Sequence, residues 1–444
     1  MRVRSRDLTH SALWLALYVL LALYPLLWLA AVPSRNAASF REELASALGF
    51  LALSTMAMQF VLTARFEWLA PPFGTDLVYA FHRYVTAVAL AFALLHPIVL
   101  LAPDAASIAG FLVPWDAPGS VAAGVVSLYA LAILAVTSYA RRALRIPYDA
   151  WRRLHGLAAA TAVLFALWHA VAARRLLGAP IVRWLWIAWT LGWAALLLRV
   201  RLAKPLALLR RPYVVREVRP ERGDAVSIVL DPHRHDGFRF RAGQFVWLTL
   251  GGSPFAAAEH PFSFSGSAQR APRVELAVKA IGDFTRRVVA TVKPGDRAYV
   301  DGPFGTMSVD AFPDADGYVF IAGGIGIAPC LSMIRTLADR GDSRPHVLVF
   351  ATSEWDRTPF RDELPALARR LRLTVVHVLE KPPPGWTGET GHVTEELLAR
   401  HAPRDGRRGY FLCGPPPMMD AIERALARLG VPLGDVHAER FHLA

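Results

Sequence analysis

Cysteine is almost missing: Cys330 and Cys413 are the only two in 444 residues, and both lie in the second half. Their scarcity excludes a disulfide framework and any iron–sulfur cluster held by four cysteines of this chain. The first long apolar run has no small-residue cleavage site and five similar runs follow it, so it reads as a membrane span and not as a signal peptide. The segment 102–118 contains no lysine or arginine. The histidines of the apolar half have no carboxylate or thiol partners, which argues against tetrahedral zinc.

Apolar surface is what the chain has in excess. Hydrophobic residues make up 54% of it and the mean hydropathy is +0.32. Six apolar runs, near 11–32, 44–64, 77–101, 119–140, 155–173 and 181–199, each approach the ~20 residues that span a hydrocarbon core. A net charge of +13 would suit a polyanionic partner. Much of that charge, however, flanks the apolar runs: Arg2, Arg4 and Arg6, Arg141 to Arg153, and Arg199 to Arg211. There it reads as a topology signal, so membrane lipid is expected as a partner and nucleic acid is not. The bias puts both termini on the cytoplasmic side of a plasma (inner) membrane, with 141–154 inside and 102–118 outside. Arg174, Arg175 and Arg183 then fall outside, as interfacial anchors or as groups facing a haem propionate or an anionic acceptor.

His82 and His96 lie in the third run and His155 and His169 in the fifth, each pair fourteen positions apart. Fourteen residues at about 100° return to within roughly 40° of the starting direction, about 21 Å further along a helix. Each helix therefore presents two imidazoles on one face at two depths. Because both runs cross the membrane in the same sense, His82 should meet His155 near the cytoplasm, and His96 should meet His169 near the outside. A lone histidine in a bilayer is readily explained by a hydrogen bond to a neighbouring helix. Four with equal spacing and matched depth point to function. Two axial imidazoles suit b-type haem iron, a carrier of single electrons.

After Arg211-Pro212 the pattern changes to short strands at Tyr213–Val218, Ala225–Leu230, Gln244–Leu250, Arg273–Ala280 and Arg297–Val300, which predicts a small antiparallel β-barrel. From Tyr318 strands alternate with helices: strands at Tyr318–Ala322, His346–Ala351, Leu373–Leu379 and Tyr410–Cys413, and helices from Ala328, near Arg361–Arg370, near Thr394–His401 and from Pro417. That alternation predicts a doubly wound parallel α/β sheet. The expected domains are a six-helix membrane bundle at 1–210, the barrel at 211–312 and the α/β domain at 313–444. Three motifs stand in order in the soluble half. They are His260-Pro261-Phe262-Ser263, Gly323-Gly324-Ile325-Gly326-Ile327-Ala328-Pro329 and Cys413-Gly414-Pro415-Pro416-Pro417-Met418. The second lies between a strand and a helix, as a dinucleotide loop requires, with a proline suited to a first helical turn. Lys279–Thr285 ends a strand and opens a helix, whose backbone N–H groups suit a pyrophosphate. Singly, each has a plain structural reading, a core aromatic beside a turn or a glycine turn without a ligand.

Taken in this order, the histidine pairs and motifs resemble the ferric reductase/NADPH oxidase superfamily over nearly the whole chain, with a soluble half similar to ferredoxin–NADP reductases. The resemblance implies FAD on the barrel. In the motif that includes Pro261, His260 would face its phosphates, Phe262 would pack on the isoalloxazine, and Ser263 would hydrogen-bond near N5. Lys279, Gly282 and Thr285 would surround the diphosphate. It implies NADPH (or NADH) at Gly323, Gly324, Gly326, Ala328 and Pro329. Cys413, Gly414 and Pro415 would line the nicotinamide pocket, with Cys413 near the site of hydride transfer. No His/Asp pattern accompanies Cys413 as a nucleophile. Glu439-Arg440-Phe441 resembles the terminal acidic–x–aromatic element whose aromatic stacks on the flavin, though three residues follow Phe441. At Ala351–Arg357, Ser353 and Arg357 suit a 2′-phosphate and Glu354 opposes one, a balance that leans slightly to NADPH.

The expected function is electron transfer from cytosolic NAD(P)H through FAD and two b-type haems, held by His82/His155 and His96/His169, to an acceptor outside. A ferric chelate and O₂ both suit that last step, and no obligate protein partner is implied. Two rivals are a membrane-anchored flavoenzyme serving a cytoplasmic partner without haem, and a sensor that binds nucleotide without reacting.

Overall fold

The computed structural model describes residues 5–30, 39–64, 66, 75–101, 118–174, 176–256 and 259–440. Its contacts separate a helical unit within His10–Pro205 from a soluble unit that runs from Leu206 onward.

The helical unit contains α1 (Ser5–Ala30), α2 (Phe40–Thr63), α3 (Thr75–Leu101), α4 (Gly119–Tyr139), α5 (Tyr148–Ala173) and α6 (Pro180–Leu198). All six are long and apolar enough to cross a membrane. Ser39 Oγ accepts the Glu42 N–H at the start of α2 and the Glu42 carboxylate accepts the Ser39 N–H, so two orphan donors are satisfied together. α2 is the most enclosed helix. Its Phe50, Leu53, Met56 and Phe60 pack with Leu131, Leu134 and Trp186. α5 starts seven residues before the fifth apolar run, because Pro147 sets a helical entry and Asp149 and the arginines after it continue the helix. Arginines also bond to backbone carbonyls of other helices. Arg199 Nη1 donates to the Ala64 carbonyl at 3.1 Å and Arg201 Nη2 to that of Arg152 at 3.4 Å. Past α6 the chain makes a π turn, Arg199–Ala203, and a short helix α7 (Lys204–Leu209).

In the soluble unit the barrel strands are β1 (Tyr213–Glu221), β2 (Ala225–Pro232), β3 (Phe245–Leu250), β4 (His260–Ser263), β5 (Val274–Lys279) and β6 (Arg297–Phe304). They lie in the order β4-β3-β6-β1-β2-β5, and a bridge from Phe264 to Leu276 joins the two edges around a core of Val215, Ile228, Phe264 and Leu276. α8 (Asp283–Thr291) follows β5. The second sheet is entirely parallel, β10-β9-β8-β7-β11-β12. Its strands are β7 (Gly317–Gly323), β8 (Pro345–Glu354), β9 (Arg372–Lys381), β10 (Glu389–Thr390), β11 (Arg408–Cys413) and β12 (Val436–Ala438). The helices between them are α9 (Ile327–Arg340), α10 (Leu364–Arg370), α11 (Glu395–His401) and α12 (Pro416–Arg428). Alternate residues of β7 and β8 supply two separate cores: Phe320, Leu348 and Phe350 on one face, Val319, Ile321 and Val349 on the other. Both faces are covered, as an all-parallel sheet requires.

Candidate functional site

The four membrane histidines meet in pairs across α3 and α5. The His82 and His155 rings have centroids 6.3 Å apart at 66°, and those of His96 and His169 are 5.9 Å apart at 71°. Two imidazoles bound to one metal, each through a nitrogen at about 2 Å, have centroids roughly 6 Å apart. Every Nδ1 is engaged. That of His96 lies 2.6 Å from the Ala45 carbonyl, that of His169 2.7 Å from the Ser120 carbonyl, and that of His82 2.8 Å from Gln59 Oε1. His155 Nδ1 lies 3.3 Å from Ser138 Oγ. A carbonyl can only accept, so at His96 and His169 the Nδ1 carries the proton and Nε2 keeps its lone pair, the usual condition of a metal-binding histidine. At Gln59 the Nε2 donates to Tyr18 Oη and the Thr55 carbonyl, which turns its oxygen toward His82.

Ala45 and Ser120 each stand one turn before a glycine. A Cβ on Gly49 would lie 3.0 Å from His96 Nδ1, and one on Gly124 3.0 Å from His169 Nδ1. Both glycines let a helix approach close enough for its carbonyl to reach the ring. Among the described residues no group of three or more His, Cys, Asp or Glu is placed to hold a metal ion. The donor set is two imidazole pairs, which suits two bis-imidazole irons and not tetrahedral zinc.

In the soluble unit β4 carries the His260–Ser263 motif, paired in register with β3 so that Phe245 faces Ser263 and Val246 faces Phe262. Phe262 and Ser263 are buried. The His260 ring stacks on Phe284 of α8 at 3.9 Å, which joins the motif to the Lys279–Thr285 turn. Thr285 Oγ1 accepts the N–H groups of Ile281 and Gly282, at 3.0 and 2.9 Å, and so fixes that turn. A Cβ on Gly282 would meet nothing within 4 Å. The start of α8 is therefore open backbone, a fit for a diphosphate.

Gly324, at φ +55°, is a second open glycine with nothing within 4 Å of a Cβ. Its neighbours are tightly confined. A Cβ on Gly323 would lie 2.5 Å from Met418 Sδ, and one on Gly326 2.4 Å from the Cys413 carbonyl. β7 and β11 are adjacent and Ala322 faces Cys413, so the glycine loop and the Cys413–Met418 motif share the carboxyl edge of the sheet. Ligands bind at that edge in such folds. Ala328 and Pro329 lie buried in the first turn of α9. Burial, with Cys330 and Glu439 nearby, holds the Cys413 thiol well above its ordinary pKa, and burial pushes Cys330 up to about 12. Both are neutral thiols and poor nucleophiles.

Several contributors to the histidine pairs were not singled out from the sequence. Gln59, Ser138 and the Ala45 and Ser120 carbonyls hold the histidines. In the soluble unit Glu439 is buried, and a Cβ on Gly305 would lie 2.6 Å from its Oε1. Arg357, a candidate for a 2′-phosphate, is ion-paired with Asp224. Arg361 donates to the Trp355 carbonyl at 2.7 Å and to Asp356 at 3.1 Å, and Lys381 lies 3.7 Å from Glu354. Phe441 and Arg175 lie outside the described residues, as does most of the 102–118 segment.

A model of the "Ferric reductase like transmembrane component" family matches residues 48–167, and one of the "Oxidoreductase NAD-binding domain" family matches 320–424. The reductase component of propane 2-monooxygenase from Rhodococcus jostii (strain RHA1) is 31% identical over 244 residues, 51% of this chain and 62% of that protein. The chain thus spans less than two thirds of that relative. Ferredoxin–NADP reductase B of Sorangium cellulosum (strain So ce56) is 30% identical over 237 residues, 51% of this chain and 91% of the relative. The cytochrome b5 reductase domain of Ulva prolifera nitrate reductase is 20% identical with a TM-score of 0.46, over 52% of this chain and 97% of that one. By its soluble half the chain belongs to the ferredoxin–NADP reductase family of FAD- and NAD(P)H-binding oxidoreductases, and with its ferric-reductase-like transmembrane component it is a multi-pass membrane oxidoreductase of ferric reductase/NADPH oxidase-like architecture.

Proposed function

We propose that this chain carries electrons from NAD(P)H on the cytoplasmic side of the plasma membrane, by way of FAD and two bis-histidine b-haems, to a small acceptor outside. The observation that carries the reading is the meeting of four imidazoles in two pairs, 6.3 and 5.9 Å apart, with every Nδ1 engaged. When bound, FAD supplies the change from two-electron to one-electron transfer, and the haems supply single-electron carriers. His82 and His155 would hold one haem and His96 and His169 the other. Gly282 and Gly324 would face the phosphates of the two nucleotides, and Cys413 to Pro415 would border the nicotinamide. Against the slight lean to NADPH in the sequence, we infer NADH as the preferred donor, because the cations near the end of β8 are paired with carboxylates while Glu354 can accept a ribose 2′-hydroxyl.

The purified protein should have a low-spin haem spectrum that NADH reduces only when FAD is present. Replacing His96 should abolish reduction of external acceptors and leave flavin reduction intact. A wild-type protein with flavin but no haem absorbance, or a His96 variant that reduces external acceptors at the normal rate, overturns the relay and leaves the membrane-anchored flavoenzyme. Ferric-chelate reduction, assayed against superoxide-dismutase-sensitive cytochrome c reduction, identifies the acceptor.

A further inference from the structure

α9 begins at the glycine loop of the nucleotide site, and its far half lies against the barrel segment that follows the flavin motif. Ser332, Arg335 and Thr336 share one face of this helix, at positions i, i+3 and i+4. Ser332 Oγ donates to the Gly266 carbonyl at 2.7 Å, and Thr336 Oγ1 accepts the Ala268 N–H at 2.9 Å. Between them Arg335 Nη1 donates to the Ser265 carbonyl at 2.9 Å and to Glu275 Oε1 at 2.8 Å. The other edge of the same guanidinium makes two bonds to Glu363, at 2.9 and 2.6 Å. One arginine therefore ties the barrel to both helices, α9 and α10.

Both hydroxyl residues are fully buried, at 0% exposure. Burial works against the Arg335 charge, yet hydrogen bonds and charges from Glu363 and Glu275 raise its pKa above the ordinary value. A buried ion group of this kind is a poor source of stability compared with apolar packing, but its bond directions fix a register. That register matters because of what lies at each end. Ser265 is two residues beyond Ser263 of the flavin motif, and Arg335 is eight residues, about 12 Å, along the helix from Ile327 at the nucleotide loop.

We infer that Ser332, Arg335 and Thr336 are positioning residues that set the approach of the nicotinamide to the flavin. This rests on the flavin and nicotinamide part of the reading above and not on the haems. Displacing reacting atoms by about 1 Å can cost ~100-fold in rate. The three side chains bond to Ser265, Gly266, Ala268, Glu275 and Glu363, none of them assigned to either cofactor, so their loss should lower the rate of hydride transfer without weakening nucleotide binding.

The full chain, purified with FAD, would be compared with Arg335→Lys, Ser332→Ala and Thr336→Val. The readouts are flavin content, melting temperature, and rapid-mixing measurement of flavin reduction across a range of NADH concentrations. The limiting rate per bound flavin should fall at least ~10-fold in Arg335→Lys and several-fold in the two milder variants, with half-saturating NADH within about twofold of wild type. If Arg335→Lys does not retain flavin, the two milder variants decide. Limiting rates equal to wild type, or lowered stability and flavin content alone, overturn the inference and leave a purely structural latch. A wild-type flavin that NADH does not reduce sinks the nicotinamide–flavin reading itself, and the inference with it.

Discussion

Single side chains bear on the choice of donor and on the acid limit of the soluble unit. Glu354 ends β8 with a half-exposed carboxylate, and Arg357, the nearest candidate for a 2′-phosphate, is held by Asp224. Glu354→Gln should therefore raise kcat/KM for NADPH by ~10-fold or more relative to NADH, since a phosphate would no longer face a carboxylate. Steady-state kinetics with both nucleotides checks this, and an unchanged ratio refutes it. His346 acts on stability. Its Nδ1 accepts the Tyr318 N–H at 3.2 Å, and burial lowers its pKa from 6.5 to about 4. The unfolded chain binds this proton more readily than the folded one. Its contribution is therefore complete above pH 6.5 and is lost as pH falls toward 4, up to about 3 kcal/mol. Release of flavin fluorescence on heating, followed from pH 7 to 4, should show this loss, and His346→Gln should flatten it.

At the scale of elements, the chain's pattern foretells α3 and α5 almost entirely. Hydropathy gives the extent of α3 and the far end of α5, though not the polar first two turns of α5, and the fourteen-residue spacing gives the face on which the imidazoles lie. What holds those imidazoles is less legible. Ala45 and Ser120 act through backbone carbonyls, which leave no mark on side-chain chemistry. One trace existed, because the Ala45/Gly49 and Ser120/Gly124 pairs repeat the same four-residue step on α2 and α4. β4, β10 and β12 are short, and their pairing depends on neighbours distant in sequence, so local alternation could not reveal them. The latch on α9 was readable in principle as polar residues 332, 335 and 336 on one face of a helix otherwise apolar from 327 to 338. The glycine pairs make their own prediction. A methyl group 3.0 Å from Nδ1 forces the His96 or His169 ring to shift by a few tenths of an ångström, whereas a Cβ on Gly192 meets nothing within 4 Å. Under the haem reading, Gly49→Ala and Gly124→Ala should each shift the low-spin resonance of one haem and leave the other unchanged, and Gly192→Ala should shift neither. Equal effects from all three would mean that the glycines serve only helix packing.

For the whole molecule the question is direction. The arginines cluster within 141–154 and 199–211, and two of them bond to backbone carbonyls of other helices, Arg199 to Ala64 and Arg201 to Arg152. Membrane proteins keep such clusters on the cytoplasmic side. By that rule the level of His82 and His155 lies nearer the cytoplasm, and that of His96 and His169 nearer the outside. The soluble unit follows the second arginine cluster directly in sequence, so NADH should be consumed on the face where that cluster lies. Inverted vesicles expose this face to the medium. With a membrane-impermeant ferric chelate trapped inside, NADH added outside should reduce the trapped chelate, and right-side-out vesicles given NADH outside should not. Replacing His96 should abolish the transfer while flavin reduction continues. If right-side-out vesicles oxidised external NADH instead, the orientation would be reversed. If neither preparation reduced the trapped chelate or formed superoxide in the lumen, but a soluble acceptor in the medium was still reduced, the bundle would be an anchor and not a conductor.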